Sequence, residues 1–253
     1  MIAISLQSGS EGNCYYVEVN GTKLLFDAGI TASMAAKRLE EHGRDIKDID
    51  ALIISHDHAD HARHAGVYHR KYKMPVFITQ RTLEVAAKRH GIGPINNVSH
   101  FRAGDEISFG DVSVETIPSP HDAADGSLFV ISSNGKRLGI WTDLGHVSDE
   151  LYSLVSTLDG IFIESNYDPL MLDNGPYPAF LKKRIKGPEG HLSNIDCAEL
   201  LLAGTKLKWA CLAHISNNNN SPETALETNR RIAGNNITLY TANRYLATEP
   251  LSI

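Results

Sequence analysis

Four side chains able to hold a transition metal fall within six residues, at His56-x-His58-x-Asp60-His61. Imidazole nitrogen combined with carboxylate oxygen suits zinc, manganese or iron. The run follows Ala51-Leu-Ile-Ile54, an all-apolar stretch that reads as a strand buried on both faces. A loop leaving such a strand can fold several side chains toward one point; the plain alternative is a polar loop of solvated histidines. Three further residues share the setting: His121 beyond a strand at 112–117, Asp143 after one at 137–142, and His214 after one at 208–213. Each alone is an ordinary strand-end residue. Together the seven match what two metals sharing a bridging carboxylate require.

The elements that must position them follow from pattern. Residues 2–6 read as a strand, then a small-residue loop, Gln7 to Asn13. Strands at 14–19 and 22–27 flank Asn20-Gly21, a hairpin signal because both positions tolerate positive φ. Thr31 is placed to cap a helix running to His42, with Gly43 to end it. Helices near 62–72 and 80–90 enclose a short strand at 76–78, and a β-rich section covers 98–142 with Asn134-Gly135 as a second hairpin turn. Beyond it, helices at 147–157, 177–185, 194–203 and 222–233 alternate with strands at 160–164, 208–213 and 237–240. Sheets covered by helices on their outer faces accommodate this order. No linker divides the chain, so a single domain over 1–253 is expected.

Composition is that of an ordinary globular protein, 42% hydrophobic and 21% charged. A net charge of −6 argues against a protein that coats nucleic acid through general positive charge. It leaves a nuclease open, because two divalent metals would add about four positive charges in the cleft. Three cysteines, Cys14, Cys197 and Cys211, show no paired spacing, and Met1 to Ser10 lacks a signal-peptide pattern. No apolar run reaches the length of a membrane span. A cytoplasmic protein with no membrane partner is expected, its oligomeric state unspecified.

The order His56-x-His58-x-Asp60-His61, His121, Asp143, His214 resembles the metallo-β-lactamase superfamily. The resemblance implies an α/β fold, the four-layer αβ/βα sandwich, carrying two divalent metal ions (zinc or manganese, with iron a further choice). It assigns His56, His58 and His121 to one metal, Asp60, His61 and His214 to the other, and Asp143 to the bridge. Asp27, in Leu24-Leu-Phe-Asp-Ala-Gly29, is similar to the superfamily's aspartate that orients a metal ligand; a turn-capping aspartate is the alternative. Four further motifs resemble the YycJ/WalJ-like branch: Ser8-Gly-Ser-Glu-Gly-Asn13, Glu164-Ser-Asn-Tyr-Asp168, Gly190-His-Leu-Ser-Asn194 and His214-Ile-Ser-Asn-Asn-Asn-Asn-Ser-Pro222. That branch implies a phosphodiesterase, with DNA exonuclease activity the expected role and DNA the expected partner.

Spacing narrows the choice. Asp143 separates this chain from the true β-lactamases, which lack that bridge, and His58 stands where flavodiiron oxidoreductases carry glutamate. Only 22 positions separate His121 from Asp143, too few for the long arm of the tRNA-processing group. The 71 from Asp143 to His214 leave no room for a β-CASP cap.

The chemistry expected is attack on phosphorus by a metal-bridging hydroxide, with Asp60 orienting it. His191 is the candidate proton donor to the leaving alkoxide, by resemblance to the extra histidine of RNase Z-like enzymes; otherwise it merely precedes the helix cap Ser193. Glu164 would hydrogen-bond His191 and keep it protonated, or be a plain strand-end glutamate. Ser8, Ser10 and Asn13 are candidates for phosphate contact in a loop that could equally be a tight turn, and Asn217 to Asn220 either touch substrate or form a solvated loop. Lys182 and Arg184, in the densest basic run, either grip DNA or offset a helix dipole. Two other functions stay open: hydrolysis of a small phosphodiester, lactone or thioester, which the fold also supports, and a non-catalytic metal-binding module.

Overall fold

Strand β1 (Ile2–Gln7) runs antiparallel to β2 (Cys14–Val19), and the Asn20-Gly21 turn, with φ of 51° and 84°, returns the chain as β3 (Thr22–Phe26). These positive angles are what a two-residue hairpin turn demands. The coordinates are a computed structural model and describe residues 1–253. Their internal contacts group the chain into two units. The first comprises Met1–Pro118, Ala123–Ser127 and Asn243–Ser252; the second comprises Ser119–Asp122, Leu128–Ala242 and Ile253.

In the first unit, α1 (Ala32–Glu41) follows β3, its N terminus capped by Thr31 accepting from the Met34 N–H. The chain then enters β4 (Ala51–Ile53), wholly buried, and leaves it into the run of candidate ligands from His56 to His61. The helix expected near 62–72 is present as α3 (Ala65–Tyr72), preceded by a separate single turn, α2 (Ala59–Ala62). The break has a tertiary cause: the backbone of Ala28 donates to His61 O and accepts from His64 N, threading between the two turns. Strand β5 (Val76–Phe77), helix α4 (Gln80–His90), strand β6 (Val98–Ser99) and the hairpin β7 (Glu106–Phe109) and β8 (Val112–Pro118) complete this stretch.

The second unit holds β9 (Ser127–Ser133) and β10 (Lys136–Trp141), joined by the Asn134-Gly135 turn, then α5 (Asp149–Val155) and β11 (Gly160–Glu164). Next come α6 (Pro169–Asn174), α7 (Ala179–Ile185), α8 (Asn194–Leu202), β12 (Trp209–Ala213), α9 (Pro222–Ala233) and β13 (Thr238–Thr241). The chain returns to the first unit as β14 (Leu251–Ser252), beside β1.

Both sheets are mixed. The first runs β14-β1-β2-β3-β4-β5-β6, antiparallel as far as β3 and parallel from β3 onward. In the second unit the order is β13-β12-β11-β10-β9, with only β9 and β10 antiparallel. Parallel strands need cover on both faces, which is why β4, β11 and β12 are buried throughout. No helix is long and apolar enough to cross a membrane. Candidate ligands follow closely on three of the parallel strands, with His56 after β4, Asp143 after β10 and His214 after β12.

Candidate functional site

In the first unit the run after β4 is fixed from below by Asp27. That residue follows β3 at φ 64°, a strained angle for a side chain-bearing residue. Its Oδ1 accepts from the backbone N–H and hydroxyl of Ser55, both at 2.8 Å, and its Oδ2 lies 2.7 Å from His61 Nδ1. A buried carboxylate on Nδ1 sets the ring's direction and turns Nε2 outward, which prepares a histidine for a metal. Asp27 thus fixes the ring of the candidate ligand His61 rather than capping a turn alone. His56 points its Nδ1 at Ser55 Oγ, 2.9 Å away, and its ring lies 4.1 Å from that of His61 and 4.7 Å from that of His58. Asp60, in the first turn of α2, brings a carboxylate oxygen to 3.6 Å from His61 Nε2.

The small-residue loop braces this run. Asn13 donates its backbone N–H to Asp60 O at 2.7 Å, and its side-chain nitrogen lies 2.9 Å from His61 Nε2. Ser8 bonds Asn13 and Tyr15, so Ser8 and Asn13 are buried and held within the fold, while Ser10 is exposed. Gly29 passes so close that a Cβ there would lie 1.7 Å from Asp60 O. Asp57, between the first two histidines, is fully buried; it accepts from Arg89 and the Ala124 N–H, both at 2.7 Å. Sequence reasoning missed Asp57, although an acidic residue between two ligand histidines was the available signal.

The second unit carries the other candidates. Asp143, at φ 58°, and His214, at φ 50°, both leave their strands in the left-handed region. Asp143 Oδ1 lies 3.7 Å from His121 Nε2, from His191 Nδ1 and from His214 Nδ1. His121 Nδ1 faces the carbonyl of Gly190 at 2.8 Å, which assigns its Nε2 to the side of Asp143. Donor atoms of Asp143, Glu164, His191 and His214 all lie within 4.8 Å of one another. Nothing but nitrogen and oxygen lines this cluster, a donor set that fits a borderline metal such as zinc or manganese. The three cysteines are buried and unpaired, and burial pushes the Cys14 thiol up to about 12.

Glu164 is the hub. Fully buried at the end of β11, its Oε1 lies 2.8 Å from His191 Nδ1 and 3.0 Å from His214 Nδ1, while its Oε2 accepts from the N–H groups of Leu144 and Leu192. Burial works against its charge, yet His191 and His214 beside it hold the carboxyl down at about 2. Burial likewise disfavours a protonated His191, but the Glu164 carboxylate, and after it Asp143, leave its proton affinity raised above the ordinary value. The expected Glu164–His191 pair is present.

The asparagine-rich motifs supply the frame. Asn194 and Asn220 exchange side-chain bonds at 2.8 and 3.0 Å, Ser165 donates to Asn194 at 2.6 Å, and Asn166 donates to His214 O at 2.8 Å. Asn219 and Asn220 are thus buried, whereas Asn217 and Asn218 are exposed. Ser193 caps α8 and Ser221 caps α9. Of the basic run, Lys182 donates to Asp173 O at 2.8 Å and Arg184 forks onto Asp122, the neighbour of His121.

The profile of the metallo-beta-lactamase superfamily matches residues 8–170, and the chain belongs to that superfamily. It is 36% identical over 224 residues to exodeoxyribonuclease WalJ of Streptococcus pneumoniae, covering 87% of this chain and 83% of WalJ. It is also 36% identical over 225 residues to exodeoxyribonuclease YycJ of Bacillus anthracis, at 87% and 84% coverage. Among solved structures, the metallo-beta-lactamase fold protein YhfI of Bacillus subtilis superposes with a TM-score of 0.74 at 12% identity, covering 98% of both chains. The expected fold and the resemblance to the YycJ/WalJ-like branch are both borne out. The chain is a metal-dependent hydrolase with clustered histidine and aspartate donors.

Proposed function

We propose that this protein hydrolyses phosphodiester bonds in DNA, working inward from an end. The observation that carries the reading is His191, held on the buried Glu164 carboxylate and 3.7 Å from Asp143, in a chain 36% identical to two exodeoxyribonucleases. His56, His58 and His121 would hold one divalent ion, Asp60, His61 and His214 the other, with Asp143 shared. Bound there, such ions supply Lewis-acid charge to the phosphoryl oxygens and lower the proton affinity of water. Zinc or manganese suits these donors.

The chain's own residues account for the remainder. Asp27 and Glu164 occupy the Nδ1 sides of His61 and His214, fixing the nitrogens that meet the metals. Asp60 orients the attacking oxygen. His191, its Nδ1 turned to Glu164, presents Nε2 and gives a proton to the leaving alkoxide, which is a poor leaving group without one. Residues 1–253 form one catalytic domain on this reading, and three buried, unpaired cysteines accord with a reducing cytoplasm. The test is a substrate panel of end-labelled duplex DNA, single-stranded DNA, RNA and an aryl phosphodiester, each with manganese, zinc or magnesium. Preferred cleavage of DNA supports the reading; turnover of the aryl ester with every polynucleotide intact contradicts it.

A further inference from the structure

Phe180, on α7, is 75% exposed, the most exposed large apolar side chain in the protein, and Leu170 on α6 follows at 73%. Isolated surface apolar residues need no explanation, but Phe180 does not stand alone. Residues three and four apart share a helix face, so Phe180, Lys183 and Arg184 project together while Leu181 and Ile185 turn inward. The inward side packs on Tyr167, Leu172 and Tyr177, a small core that fixes α6 and α7. The outer face therefore belongs to a well-anchored element.

That face leads to the reacting centre of the second unit. Arg184, four residues or roughly 6 Å along the axis from Phe180, forks onto Asp122 next to the ligand candidate His121. One residue further, the carbonyl of Ile185 accepts from the His191 N–H at 2.9 Å. Lys183 is exposed and makes no ion pair.

We propose that Phe180 is a stacking platform for an unpaired nucleobase of the DNA strand, with Lys183 beside it taking a phosphate. This rests on the DNA-hydrolase reading above and deepens it to a preference for an unpaired, stackable strand end. An aromatic ring beside a cation is the pairing that binds single strands without regard to sequence, one for the base and the other for the backbone. A second copy of this chain is the less fitting occupant. A two-fold contact through this face would set the basic stretch Lys182 to Arg184 of one copy near that of the other.

The experiment titrates the metal-loaded protein into a single-stranded, phosphorothioate-linked oligonucleotide carrying 2-aminopurine near its end. Fluorescence quenching reports stacking. Wild type should bind with quenching; Phe180→Ala should lose the quenching and bind at least about fivefold more weakly, and Phe180→Trp should keep both. Phe180→Leu should lose the quenching although it preserves apolar bulk. Leu202→Ala, another exposed apolar position, should behave as wild type. Binding and quenching by Phe180→Ala equal to wild type overturn the platform while leaving the hydrolase reading intact. So does a wild-type dimer that Phe180→Ala dissociates with DNA binding unchanged. Wild type that neither binds nor cleaves any DNA overturns both.

Discussion

On the proposed mechanism the His191–Glu164 pair would set the reaction's pH dependence. His191→Ala is expected to lower kcat on DNA by about a hundredfold or more with metal content unchanged, read by steady-state kinetics beside elemental analysis. Because the carboxylate raises the proton affinity of His191, Glu164→Gln should move the basic limb of the rate profile to lower pH. The same pair contributes to stability with a defined sign. Glu164 is depressed from 4.5 to about 2, so its contribution is present above about 4.5 and lost as pH falls through about 2. His191 is raised, so its share is present below its ordinary value and fades as pH rises through the folded one. In thermal melts of metal-stripped protein, the gap between wild type and Glu164→Gln should therefore narrow between pH 4.5 and 2. Asp57 offers a second test. Arg89→Met removes the charged donor to a buried carboxylate and should cost about 1–2 kcal/mol, since Arg89 itself is exposed, with weaker metal binding by calorimetry. Most ligand candidates were legible as His and Asp at strand ends. Asp57 was not, because its partners Arg89 and Ala124 lie 32 and 67 residues away.

Elements carry the ligands only as accurately as the loops around them allow. Two glycines mark where backbone meets backbone. A Cβ on Gly29 would strike Asp60 O, and one on Gly190 would lie 2.2 Å from Ile185 O. Gly190 also offers the carbonyl that faces His121 Nδ1 and directly precedes His191, the proposed proton donor. Gly190→Ala should therefore weaken metal binding and depress kcat together, a double loss that His191→Ala should not show. Helices with a capping hydroxyl were readable: Thr31, Ser193 and Ser221 each accept from the first turn as their positions imply. Helix α6 went unread despite Asp168 and Pro169 at its start, since six residues carry too little periodicity to register. The same limit hid the two-residue strand β14, and the break between α2 and α3 depends on Ala28, distant in sequence. Polar motif residues posed the opposite problem. Asn220 and Asn13 looked like loop polar groups and are buried braces, a distinction that burial alone reveals.

At the scale of the whole chain, a net charge of −6 means that the proposed DNA affinity would have to come from local cations and from bound metals. Binding should therefore depend on salt only modestly, with a log–log slope of about 0.7 to 0.9 per phosphate contact and few contacts in all. Lys182 and Arg184 already have partners, so Lys183 is the cation whose loss should flatten that slope most. The fold class was readable across nearly the full length because the candidate ligands fall in order at strand ends from His56 to His214, and the fold itself persists at low identity, as the 12% identity to YhfI at a TM-score of 0.74 illustrates. The central claim, hydrolysis of DNA from an end by a centre that shares Asp143, meets its most direct test in one gel. Metal-loaded wild type and Asp143→Ala are each incubated with end-labelled linear DNA and with covalently closed circular DNA. Wild type should shorten the linear molecule progressively and leave the circle closed, while Asp143→Ala, folded by circular dichroism, should leave both intact. Nicking of the circle at the rate of linear degradation, or undiminished degradation by Asp143→Ala, would contradict it.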